Sequence, residues 1–132
     1  MSMQQAAVVG DMLTDSPIDY VLHGGCRGAD SQFDSIALSL GLPREIWPGP
    51  GTPCSDIERS GSIRIMDSMP YLQRNREIVT RCAGLIATPS ERLAPLELRK
   101  GGTWYTIRHA FIKRTPVVIV WPCGEAEPLL PQ

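Results

Sequence analysis

Tyr20-Val-Leu-His-Gly-Gly-Cys-Arg-Gly-Ala-Asp30 is a short β-prone apolar run that breaks into glycines and then meets an acidic residue at the head of an amphipathic segment. That order reads as strand, tight turn, helix. Glycines at 24, 25 and 28 admit positive φ and let backbone N–H groups come close to a ligand, and a helix start behind them adds partial positive charge. The stretch is a candidate anion cradle. The same glycines also suit a purely structural turn between a strand and a helix.

The rest of the chain sets the scale of that unit. At 132 residues, one domain with one core is expected, stable without disulfides or metal. A net charge of -1 with 20% charged residues makes nucleic acid an unlikely general partner, because such binders normally carry a basic excess, and favours a small polar ligand. The longest apolar run, Val117 to Trp121, is too short to span a membrane, and no signal peptide is recognisable, so a cytoplasmic location is expected. Cys26, Cys54, Cys82 and Cys123 form no CxxC pair and read as reduced thiols. His23 and Cys26 have the gap of a metal pair without a second pair to complete it, so no metal and no cofactor are expected.

Periodicity predicts a first helix over Met3 to Leu13, with apolar positions at 6, 9, 12 and 13, and a strand at Tyr20. Phe33, Ile36, Ala37 and Leu40 predict a helix from Ser31 to Leu40, stopped by Gly41 and Pro43. Glu45 to Trp47 is a strand candidate, and Pro48 to Ser62 reads as a long loop. A third helix is expected from Pro70 to Cys82, a buried strand at Leu85 to Ala87, and a fourth helix from Thr103 to Arg114 with Trp104, Ile107, Ala110 and Phe111 on its apolar stripe. Glu91 to Lys100 fits a short helix or an ordered loop equally. Pro116 to Trp121 is a strand, and the tail from about residue 122 is expected to be irregular.

Strands alternating with helices imply parallel strands with right-handed crossovers and ligands beyond their carboxyl ends. The expected fold is therefore α/β, a Rossmann-like three-layer domain with a mainly parallel sheet of about four strands. The second glycine turn, Gly101-Gly102 before Thr103, falls at such an end as the first does.

Four stretches in order, His23-Gly-Gly-Cys-Arg-Gly-Ala-Asp30, Pro70-Tyr-Leu-Gln-Arg-Asn-Arg76, Leu85-Ile-Ala-Thr-Pro89 and Gly101-Gly-Thr-Trp-Tyr-Thr-Ile-Arg108, resemble the SLOG superfamily of Rossmann-like domains. That superfamily includes DNA-processing protein A and the cytokinin-activating phosphoribohydrolases, and the likeness is greatest to small stand-alone bacterial and phage members. The resemblance covers about residues 3 to 121 and implies a nucleotide or nucleotide derivative at the two glycine turns. With the turn chemistry, it nominates Gly24, Gly25, Arg27, Gly28, Asp30, Arg74, Asn75, Gly101, Gly102 and Thr103 as ligand-binding residues.

Two departures shape the expectations. Members of this kind usually open with a strand and a phosphate-facing turn before the first helix, whereas this sequence opens with Met1-Ser2-Met3. A central strand is thus expected to be missing, and a homo-oligomer is expected to cover the gap. The phosphoribohydrolases carry a Gly-Gly-x-Gly-Thr-x-x-Glu turn, and the matching position here is Thr106. Without that acid, catalytic residues are unassigned and an N-glycosidic hydrolase of nucleoside monophosphates is the alternative to a binding protein. A single-stranded DNA binder is the second alternative.

Individual roles follow from side-chain chemistry. Arg27, with Arg74 or Arg76, is a candidate phosphate clamp, since a guanidinium presents a fork of donors. Asp30 suits either a ribose hydroxyl or a helix cap. Thr103 has the same two uses, and Trp104 reads as core. His23, Cys26 and His109 are the side chains from which a nucleophile dyad would be drawn.

Overall fold

A computed structural model describes residues 1–51, 54, 56–91 and 102–129. Among them lie four helices, α1 (Met3–Asp15), α2 (Ala29–Ser39), α3 (Tyr71–Arg81) and α4 (Gly102–Ile112). Six strands accompany them: β1 (Val21–His23), β2 (Arg44–Ile46), β3 (Ile63–Ile65), β4 (Leu85–Ala87), β5 (Val117–Val120) and β6 (Ala126–Leu129).

Local chemistry sets most of the element ends. Ser2 and Gln5 form a capping box at the head of α1: the Ser2 hydroxyl accepts from the Gln5 N–H at 3.0 Å, and Gln5 Oε1 accepts from the Ser2 N–H at 2.8 Å. Gly28, at φ +86°, opens α2 in a conformation that side-chain-bearing residues rarely adopt, so α2 begins two residues before the expected Ser31. Pro70 caps α3 from outside, its fixed φ suiting the entry.

The strands divide into two three-stranded sheets. One is parallel throughout, in the order β1-β2-β3; the other runs β4-β5-β6, with β4 and β5 parallel and β6 antiparallel. Pairing is therefore mainly parallel, as the alternation of elements demands. Side chains of β5 alternate between two layers: Val120 packs with Val9 and Leu13 of α1 and Ala37 of α2, while Val117 and Ile119 pack with Trp104, Ile107 and Ala110 of α4 and Val79 of α3. Helices on both faces of the strands make the three-layer α/β, Rossmann-like arrangement.

One expectation is corrected, and one stretch left unassigned by the sequence gains a strand. Residues 126–129 of the supposedly irregular tail form β6, because Gly124 turns the chain at φ +91° and lets Glu127 accept from the indole N–H of Trp121 at 2.8 Å. Ile63–Ile65, which carried no distinct signal after the long loop, is a strand, its register supplied by β2. Glu91 is described, but the ambiguous stretch after it and Gly101 lie outside the described residues. No helix among the described residues is long and apolar enough to cross a membrane.

Candidate functional site

A cleft of about 730 Å³ opens between the two sheets and reaches the carboxyl ends of β1 and β4. Its polar mouth gathers residues from three parts of the chain. Gly24, Arg27 and Asp30 come from the β1–α2 turn, Arg74 and Asn75 from the first turn of α3, and Gly102 and Thr103 from the start of α4. Seven of the ten expected ligand-binding residues thus border one cleft. Gly25 and Gly28 do not line it, and Gly101 is outside the described residues.

The mouth is organised by Asp30. One carboxylate oxygen, Oδ2, accepts from the N–H of Gly24 at 3.1 Å and from the N–H of Cys26 at 3.2 Å. Asp30 therefore folds the glycine turn back on the helix that follows. Two amides that the sequence offered to an outside anion are held by an internal one. The first turn of α2 receives no side-chain cap from Gly28, which leaves its N–H groups without that partner.

Arg74 serves the fold. Its side chain is buried, Nη1 donates to the carbonyls of Gly24 and Trp47 at 3.0 Å each, and Nε donates to Asn75 Oδ1 at 2.8 Å. The guanidinium bolts α3 to the ends of β1 and β2. It also explains Gly24, where a Cβ would lie 2.3 Å from Arg74 Nη1. Gly25 has φ +70° and a Cβ there would press on Cys54 and Ile46. Both glycines are required by packing before any ligand is considered. Gly102 differs, because a Cβ would meet Asn75 Nδ2 at an ordinary 3.8 Å.

Arg27 is the exposed cation at the lip. Its side chain is 75% exposed and only 3.8 Å from the half-exposed Asp56, a pairing weak enough in water to give way to a better anion. Thr103 is exposed at the head of α4. Thr106, which stands where a catalytic acid is expected in the phosphoribohydrolases, lines the cleft and donates its hydroxyl to the carbonyl of Gly102 at 2.8 Å.

Beneath the mouth lies a network that sequence patterning did not reveal. Asp34 is 1% exposed, and its Oδ1 meets His23 Nε2 at 2.8 Å while both its oxygens receive N–H groups of Arg44, at 3.1 and 3.2 Å. Burial alone would raise the Asp34 carboxyl; the hydrogen bonds from His23 and Arg44 outweigh it and hold the group below its usual range. Arg44, with no exposed side-chain surface, also donates to the carbonyls of Ser60 and Glu58 and so anchors the long loop. The available signal was an Asp on the inner face of α2, one turn after Asp30.

The network settles the nucleophile question for His23. The Gly25 N–H donates to its Nδ1 at 3.0 Å, and its Nε2 lies against the Asp34 carboxylate. Both nitrogens are occupied. Cys26 consequently gains no base from His23, and its thiol is pushed up by burial and by the charge of Asp30, with Arg74 opposing. His109 stacks on Tyr105 on the surface of α4, its rings 6.2 Å apart, and partial burial with Lys113 and Arg76 lowers its pKa. Among the described residues, no group of three His, Cys, Asp or Glu side chains is placed to hold a metal ion.

No protein-family model and no curated protein matches the sequence. Among solved structures, the fold is similar to that of a protein from Syntrophus aciditrophicus named for a proposed role as a molybdenum carrier, with TM-score 0.62 and 21% identity. The match covers 81% of this chain and 66% of the other, so this chain spans just under two thirds of that protein's length. The likeness supports the Rossmann-like fold.

Proposed function

We propose that the cleft mouth binds a small phosphate-bearing molecule of the nucleotide class, as a SLOG-type domain would. The observation that carries this reading is the uncapped first turn of α2 bordering the same cleft as the first turn of α4, with Arg27 exposed between solvent and the mouth. Helix N-termini direct N–H groups and partial positive charge at an anion. The apolar depth behind them suits a base or another flat group, and Asn75 and Thr103 supply orienting polar contacts. A binding role is favoured over N-glycosidic hydrolysis because Thr106 replaces the acid and the carboxylate nearest the phosphate donors, Asp30, is committed to the Gly24 and Cys26 amides.

Calorimetric titration with adenosine 5′-monophosphate, adenosine, inorganic phosphate and molybdate tests the proposal. The monophosphate should bind more tightly than the nucleoside, and Arg27→Ala should weaken it by about tenfold or more, the scale of one charge-assisted hydrogen bond. Equal affinity for the monophosphate and the nucleoside would overturn the phosphate reading. A second reading, an oxyanion carrier, is favoured by the proposed role of the structural neighbour; molybdate binding without nucleotide binding would select it. Release of free adenine on incubation would favour the hydrolase instead.

A further inference from the structure

Arg27 borders the cleft, yet the chain itself already supplies the guanidinium with a carboxylate. Asp56, in the long loop between β2 and β3, does not border the cleft, and its Oδ2 lies 3.8 Å from Arg27 Nε. The pair therefore draws the guanidinium toward the outer side of the lip. Exposed pairs of this kind are often chance meetings of two flexible side chains. Here the backbone on both sides is fixed. On the loop side, Cys54 and Ile57 are each 5% exposed in one apolar cluster with Ile46, and the Ile57 N–H donates to the Cys54 carbonyl at 3.2 Å. Asp56 is thus carried on a turn with both feet buried. Just beyond it, the buried Arg44 holds the carbonyls of Glu58 and Ser60. On the other side, the Cys26 N–H is bound to Asp30 at 3.2 Å and Gly28 opens α2, so Arg27 stands between two set positions. The two segments also touch directly, since a Cβ on Gly25 would lie 2.7 Å from Cys54 Sγ. At 3.8 Å the Asp56 carboxylate attracts the guanidinium from beyond hydrogen-bond reach and leaves the Nε donor unspent on it.

We propose that Asp56 is a positioning residue for the phosphate site: it holds Arg27 at the outer lip and competes with an incoming anion for it. This inference rests on the reading of the mouth as a phosphate site. An anion binds by taking the guanidinium from the loop, so every anionic ligand loses the same factor in affinity to the internal carboxylate. A bare oxyanion exchanges one anionic partner of Arg27 for another and gains little. A ligand that also buries a flat group in the cleft makes up the loss through apolar contact. Asp56 thereby keeps the mouth from filling with inorganic phosphate and reserves it for phosphate attached to a larger body. The loop that Arg44 anchors is in this way part of the site, although it lines none of the cleft at Asp56.

A double-mutant cycle tests it, read by calorimetry with adenosine 5′-monophosphate, inorganic phosphate and adenosine, and by the nuclear magnetic resonance signal of the Arg27 Nε–H group. Without ligand, Asp56→Asn should shift the Arg27 Nε signal, and Asp56→Glu, which keeps the charge, should leave it close to the parent's. No shift in Asp56→Asn would overturn the pairing whatever the mouth binds. Asp56→Asn should tighten the monophosphate and inorganic phosphate by about two- to fivefold, the scale of one exposed ion pair, and leave adenosine unchanged. Asp56→Glu should restore the parent's affinities. In an Arg27→Ala background, Asp56→Asn should have no effect, because the competition acts through that guanidinium. Tightening that persists in that background would overturn the proposal, since Asp56 would then act by general repulsion. Binding by the parent that Asp56→Asn leaves unchanged or weakens would overturn this inference alone. Absence of monophosphate and phosphate binding in both proteins would overturn the phosphate reading and this inference with it.

Discussion

The two halves of the molecule are held together by different chemistry. Around β4, β5 and α4, the core is an apolar cluster in which Trp104 and Trp121 lie 6.0 Å apart and Ile107 and Ala110 are fully buried. Around β1, β2 and α2, the apolar cluster on the β2 side is small, Ile46, Cys54 and Ile57, and the space beside it is shared by Trp47 with His23, Asp34, Arg44 and Arg74. Hydrophobic packing is non-directional and tolerates repacking; a buried ion pair depends on every donor and acceptor being in place. The half that carries the β1–α2 turn and most of the long loop is thus specified by geometry, the other half by volume. That difference fits their tasks, because Arg44 and Arg74 fix irregular segments that have no ladder of their own.

The largest expected effect breaks the polar half. Asp34→Ala leaves the Arg44 guanidinium buried without its carboxylate and should cost about 3–5 kcal/mol in urea unfolding. A loss below about 1 kcal/mol would mean that the network contributes as little as a surface pair.

Acid should separate the halves next. The Asp34 carboxyl is lowered in the folded protein, so its contribution is complete above the ordinary carboxylate value of about 4 and is lost as pH falls through the lower folded value. Stability followed from pH 6 to pH 2 should therefore fall more steeply for the parent than for Asp34→Asn, which starts lower and loses this one titrating group. Parallel curves would show that Asp34 is not a source of acid sensitivity.

The smallest effect belongs to the apolar half. Ile107→Val removes one methylene from a fully buried site on α4 and should cost about 0.5–1.5 kcal/mol, with the same difference from the parent at pH 4 and at pH 7. A difference that grows with acid would tie the two cores together more closely than their contacts suggest.

How much was legible beforehand follows the same division. The α4 stripe of Trp104, Ile107 and Ala110 was readable because an apolar core repeats at the helical period, and all three are buried. For α2 the reading of Phe33, Ile36, Ala37 and Leu40 was less successful: Leu40 is 42% exposed, and Asp34 takes an inward position that apolar counting discards. Arg74 was legible as important, and as a candidate phosphate clamp; only the placement of Gly24 and Trp47 shows its guanidinium engaged by backbone carbonyls. β6 was missed because Pro128 within it argues against a strand, an objection that an edge position removes.

The sequence by itself determined the alternation of strand and helix, the glycine turn after β1 and the starts of α1 near Met3 and of α3 near Pro70. Each of these depends on neighbours a few residues apart and on local φ, capping or period. Tertiary structure decided what those elements enclose. Asp34 and Arg44 meet because α2 lies against β2, and Asp30 closes on Gly24 and Cys26 because the turn folds back. The partition of the strands into two sheets likewise rests on hydrogen bonds between residues distant in the chain, which no local pattern encodes. A charge in the sequence looks the same whether water or a partner will neutralise it, and only the folded contacts decide between the two.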